Sequence, residues 1–88
     1  MQAKEVAVTE IHDIAVDFMD MTDDRRLWAR VADVREGFEP AVGRYAIVGD
    51  DDADPRAARI EDVTDDGLLR LEVLPGPIEA HREVLARA

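Results

Sequence analysis

The stretch RAARIEDVTDDGLLRLEVL, residues 56–74, sets two apolar-alternating segments on either side of TDDG. Successive side chains of a strand point to opposite faces, so period-two segments bounded by turn residues read as half-buried strands. Residues 57–63 and 68–74 are therefore predicted to pair as a β-hairpin. Thr64–Gly67 is its four-residue loop, with Gly67 where the chain needs a positive φ. Charge supplies the register: with that loop, Glu61 faces Arg70 and Arg59 faces Glu72. The opposite face then gathers Ala58, Ile60, Leu69, Leu71 and Val73, and a slip of one residue would set Ile60 against Glu72.

Downstream of the hairpin comes LPGPIEAHREVLARA, residues 74–88. Proline loses no needed donor at the first helical position, so Gly76-Pro77 reads as a helix start. At 100° per residue Ile78, Ala80, His81, Val84, Leu85 and Ala88 share one half of the wheel, the pattern of an amphipathic helix. A helix of about three turns is marginal alone. It is expected to dock on its own sheet, leaving the protein a monomer. His81 then sits at a packing boundary, satisfied by one hydrogen bond.

Upstream, RYAIVG (44–49) is a strand, and GDDDADPRAARIE (49–61) raises a specific question. Counted from Asp50, carboxylates fall at positions one, three, five and twelve, as Asp50, Asp52, Asp54 and Glu61, the ligand spacing of an EF-hand calcium loop. Position six of such a loop requires glycine, and here it is Pro55, whose φ is fixed near −65°. Strands rather than helices flank it, and Glu61 has a use in the hairpin. The calcium hand is rejected. A looser divalent-cation site at Asp50, Asp52 and Asp54 stays open as an alternative function, beside the plain reading that acids and proline end the strand and discourage edge pairing.

The N-terminal half admits more than one reading. DIAVDFMDM (13–21) alternates Ile14, Val16 and Phe18 against polar neighbours and is predicted as a strand. TDDRRLWARVADVREG (22–37) has the capping residue, acidic first turn and terminal glycine of a helix. Yet TDDRRLWARV echoes TDDGLLRLEV, and ARVADV echoes ARIEDV, whose second members lie in the hairpin. The echo favours a strand over 27–34. REGFEPAVG (35–43) is a loop. The fold class expected is mainly β, a small, partly open barrel of about five strands with a C-terminal amphipathic helix, in one domain spanning 1–88.

VGRYAIVG, RAARIEDV and DGLLRLEVL, with their joints, resemble the core of small SH3-like barrels of the KOW and Tudor kind over roughly residues 42–75. The resemblance implies a module that binds peptides, modified side chains, or RNA and ribosomal surfaces. The basic residues of the RNA-binding members have no counterpart here. An aromatic cage needs several exposed rings, and the chain has only Phe18, Trp28, Phe38 and Tyr45.

Composition narrows the function classes. The chain has 88 residues, 21 acidic against 11 basic, and a net charge of −10. Free nucleic acid is thus an unfavourable partner, because binding there depends on cations that neutralise phosphates; a basic protein suits this field better. Serine, asparagine and cysteine are absent, so hydroxyl and thiol nucleophiles reduce to Thr9, Thr22 and Thr64. No disulfide or thiolate metal site can form. No apolar run nears the roughly 18 residues of a membrane span, and the start lacks the features of a secretory signal. The expectation is a cytoplasmic protein that is no enzyme, needs no cofactor and touches no membrane. It is a small acidic binding or regulatory module acting through a protein partner, a basic one being the easiest to reconcile. A mimic of nucleic-acid charge that occupies a basic protein is a further alternative, although arginines are scattered among the acids.

The candidate partner-binding residues are Trp28, Arg30, Phe38 and Tyr45. The burial usual for large aromatics places Trp28 in the core or under the terminal helix. Left exposed beside Arg30, it would form an anchor pair of the types that dominate binding hot spots.

Overall fold

The computed structural model describes residues 12–50 and 54–87. Its strands are β1 (Ile14–Ala15), β2 (Arg26–Arg30), β3 (Tyr45–Gly49), β4 (Arg56–Val63) and β5 (Leu68–Val73). A 3-10 turn at Ile78–His81 leads into the terminal helix α1 (Arg82–Arg87). The strands form one mixed sheet in the order β1-β3-β4-β5-β2, antiparallel throughout except for the parallel pair β1–β3. Ile14 also bridges Val34, just beyond β2, so the sheet curls until its two edges approach. The result is a mainly β half-barrel with a C-terminal helix, compatible with an SH3-like architecture.

The β4–β5 hairpin buries the predicted face: Ala58, Ile60, Leu69, Leu71 and Val73 are all excluded from solvent. Its register is half as expected. Arg59 stands opposite Glu72 and Ile60 opposite Leu71, but Asp62, not Glu61, is the partner of Arg70. Glu61 is the extra residue of a one-residue bulge. Spacing supplies the reason. Ile60 and Val63 are three apart, and strict alternation would send them to opposite faces. The bulge resets the alternation, so that Val63 joins Leu69 on the core side. At the closing turn Thr64 N–H donates to Leu68 O (2.8 Å), leaving a loop of Asp65–Gly67 with φ of +89° at Gly67. This is one residue shorter than the expected loop.

The internal echo is structural. Thr22 N–H donates to Arg26 O (2.8 Å), and Arg26 N–H donates back to the Thr22 hydroxyl (3.1 Å). Thr64 and Leu68 make the same reciprocal pair, at 2.8 and 3.0 Å. In each turn the threonine hydroxyl also bonds the aspartate two residues on, Asp24 or Asp66. Arg25 occupies the place of Gly67 and takes φ of +64°, the left-handed region that glycine adopts without strain. Two TDD turns thus launch two neighbouring strands, β2 and β5.

The strand reading of 27–34 holds for its first part and the helix reading fails. Leu27 and Ala29 face the core, and the chain leaves the sheet at a 3-10 turn over Val31–Asp33. The strand predicted over 13–21 shrinks to Ile14–Ala15. The Asp17 carboxylate accepts from Met19 N–H (3.0 Å) and caps a 3-10 turn at Phe18–Asp20. A short acid that bonds its own backbone competes with the ladder. The apolar residues of this segment serve the core nonetheless, since Val16, Phe18 and Met21 pack against it.

The terminal helix docks on its own chain: α1 lies against β3, and the 3-10 turn before it against β4. Ile78 is buried, Val84 and Leu85 are half-buried, and a His81 ring nitrogen bonds Pro75 O at 2.6 Å. Among the described residues no helix is long and apolar enough to cross a membrane.

Candidate interaction surface

Strand β2 ends the sheet, and its alternation decides what it presents. Leu27 and Ala29 turn inward, so Arg26, Trp28 and Arg30 turn outward. Trp28 is 52% exposed, against the expected burial in the core or beneath the helix. The helix lies on β3, at the other side of the sheet, and the core is filled by Leu27 on the facing side.

Two shallow grooves flank the indole. One runs between β2 and the segment from Ala15 to Asp20, with Asp17, Asp20 and Asp33 on its walls. The second is lined by Asp20, Thr22, Asp24, Arg26 and Arg70. Arg30 Nε reaches Asp33 at 3.2 Å and Arg26 Nη1 reaches Asp24 at 3.4 Å. The Asp20 side chain lines both grooves, is exposed, and meets no cation among the described residues. Sequence reasoning missed these acids. The signal available was the recurrence of aspartate at 17, 20, 24 and 33 around a single tryptophan.

The other candidates lie elsewhere. Phe38 is only 8% exposed and belongs to the core, capped by the Arg44 guanidinium 4.1 Å from its ring centroid. Tyr45 is on β3, separated from β2 by both strands of the hairpin, and is half-buried. Only Trp28 and Arg30 are brought together, on one face of one strand.

Beside this surface an ion-pair network covers the outer face of the sheet. Glu61, swung out by the bulge, accepts from Arg26 Nε (3.0 Å) and Nη2 (2.9 Å), reaching across β5. Arg59 and Arg70 each approach it to 3.5 Å, and Glu72 joins through Arg59 at 3.6 Å. The hydrogen bonds from Arg26, then its charge and those of Arg70 and Arg59, hold the Glu61 carboxyl below the usual range. The Thr22 hydroxyl does the same for Asp24, with help from Arg26. On this face Arg26, Arg59 and Arg70 alternate with Glu61 and Glu72.

The acidic loop is only partly within view. Asp52 lies outside the described residues, Asp50 is half-buried, and Asp54 is exposed at a cleft formed with Gly76 and Ile78. Glu61, at calcium-loop position twelve, is committed to Arg26. Among the described residues no three acids or histidines gather as a metal site requires. No family model matches the chain, and no curated protein or solved structure matches it significantly.

Proposed function

We propose that this protein is a small acidic, non-enzymatic binding module acting as a monomer in the cytoplasm through a basic protein partner, with the Trp28–Arg30 face of β2 as its contact. One observation carries the reading: the only tryptophan in the chain stands half out of solvent on the edge strand, between two grooves walled by aspartates. Tryptophan is among the residues that most often dominate binding energy. Its ring attracts cations, and the surrounding carboxylates favour a positively charged segment over a neutral one. Among modules compatible with an SH3-like half-barrel, this reading favours a peptide binder of the KOW and Tudor kind over an RNA binder. Docking of α1 on β3 supports the monomer, because the helix spends its apolar face within the chain.

Replacing Trp28 by a photo-crosslinking phenylalanine analogue in the native host tests the reading. A discrete covalent adduct with a second polypeptide is expected on illumination, and the same analogue at Tyr45 gives none. Equal adducts from both positions, or none from Trp28, contradict it.

A further inference from the structure

The large hydrophobics exposed among the described residues are Met19, Trp28, Val31 and Val42. Three of them gather around β2. Trp28 lies on it, Val31 follows its last residue, and Met19 belongs to the 3-10 turn Phe18–Asp20 packed beside it. The Asp17 carboxylate holds that turn by accepting from Met19 N–H (3.0 Å), so Phe18 packs on the core while Met19 stands 90% exposed. Exposed hydrophobics scattered singly need no explanation, whereas a group of them rimmed by charge marks a contact surface.

Charge distinguishes the two grooves that flank the indole. Toward Ala15–Asp20 the walls carry Asp17, Asp20 and Asp33 against one guanidinium, that of Arg30. The other groove sets Asp20 and Asp24 against Arg26 and Arg70 and is balanced. In the first, Asp33 is engaged by Arg30 (3.2 Å) and Asp17 by its own turn. The Asp20 carboxylate alone is left without a partner among the described residues. Asp20 and Trp28 are also the two residues common to both grooves, so carboxylate and indole are neighbours.

We infer that the groove between β2 and Ala15–Asp20 takes an arginine side chain of the partner, stacked on the Trp28 indole and paired with Asp20, while apolar residues beside that arginine rest on Met19 and Val31. The inference rests on the proposed Trp28 contact and names what that contact reads. A guanidinium is planar, so one face can lie on an indole while its N–H edge meets a carboxylate. An ammonium is a compact, strongly hydrated point charge and gains less in a groove open to water. Binding is from side chain to side chain and asks nothing of the β2 backbone.

The test uses a blocked pentapeptide with a central arginine, a leucine on each side of it and glycine at both ends. Two counterparts carry lysine or citrulline at the centre, citrulline keeping the shape of arginine without its charge. Binding to the full chain is followed by NMR shifts of the Trp28 indole N–H and of the Met19 and Asp20 amides. The arginine peptide should shift all three. Its affinity should fall at least fivefold with lysine and at least tenfold with citrulline. Asp20→Asn and Trp28→Ala should each weaken it at least tenfold, and Met19→Ala at least threefold. Asp54→Asn, which removes the same charge from the cleft beside Gly76, should leave it within twofold. Thermal melts check that the variants stay folded. The inference is overturned if lysine or citrulline matches arginine, or if Asp20→Asn or Met19→Ala binds as tightly as wild type. Binding lost in Trp28→Ala but kept in Asp20→Asn overturns it while the function proposed above stands. A peptide that does not bind at all overturns it too, and the crosslinking experiment then judges the Trp28 contact separately.

Discussion

Glu61 holds Arg26 from two strands away, its two carboxylate oxygens 3.0 and 2.9 Å from Nε and Nη2, with all of β5 between them. The bulge at Glu61 makes that reach possible, and the pair ties the edge strand that carries Trp28 to the centre of the sheet.

Acid should therefore loosen the sheet through Glu61. Its carboxyl is held below the ordinary value in the folded protein, so the unfolded chain binds the proton more readily. The stabilisation is complete above the ordinary glutamate pKa of about 4.3 and is lost as pH falls through the lower folded value. Urea midpoints measured from pH 7 downward should show an acid limb that Glu61→Gln shallows, together with a lower midpoint at pH 7. An acid limb unchanged by Glu61→Gln contradicts this.

The two TDD turns predict opposite responses to substitution at equivalent places. Arg25 sits at φ of +64° and Gly67 at +89°. Arg25→Gly should stabilise by about 0.5–1 kcal/mol through relief of left-handed strain, and Gly67→Val should destabilise by about 1 kcal/mol or more. Chemical denaturation reads both. A loss of stability in Arg25→Gly would show that the arginine side chain contributes more than its backbone costs.

Much of this architecture was legible in the sequence. Strict alternation gave the hairpin and its buried face, and the recurrence of TDD followed by apolar alternation gave the strand at Leu27. The rest depended on competition between local and distant contacts. The Ile60–Val63 spacing signals the bulge only if both residues are known to face the core. Asp17 turns the chain at Phe18 although the hydrophobic pattern there is that of a strand. The exposure of Trp28 depends on where the helix docks, and no local pattern states that.

Gly49 packs against the His12 ring so closely that an added Cβ would collide with Nδ1. Gly49→Ala should cost about 1 kcal/mol or more, as overpacking commonly does. The cost should shrink in a His12→Ala background, because the obstructing ring is gone. A double-mutant cycle checks it, and equal costs in both backgrounds would remove the ring from the explanation.

Asp13 clamps the short first strand. Its carboxylate accepts from Ile47 N–H (2.9 Å) on β3 and from Arg35 Nη2 (2.7 Å). Asp13→Ala leaves both donors without this acceptor and should destabilise by about 1–3 kcal/mol. Hydrogen exchange should show the Ile47 amide losing protection before the β4–β5 amides do. Uniform loss across the sheet would mean that β1 is not a separable element.

The most direct measurement of the central claim is quantitative capture from the native host with wild-type protein, Trp28→Ala and Tyr45→Ala, each verified as folded. A single set of basic polypeptides, held by wild type and Tyr45→Ala and lost from Trp28→Ala by tenfold or more, is the predicted result. Retention by Trp28→Ala at the wild-type level would contradict a contact surface at Trp28.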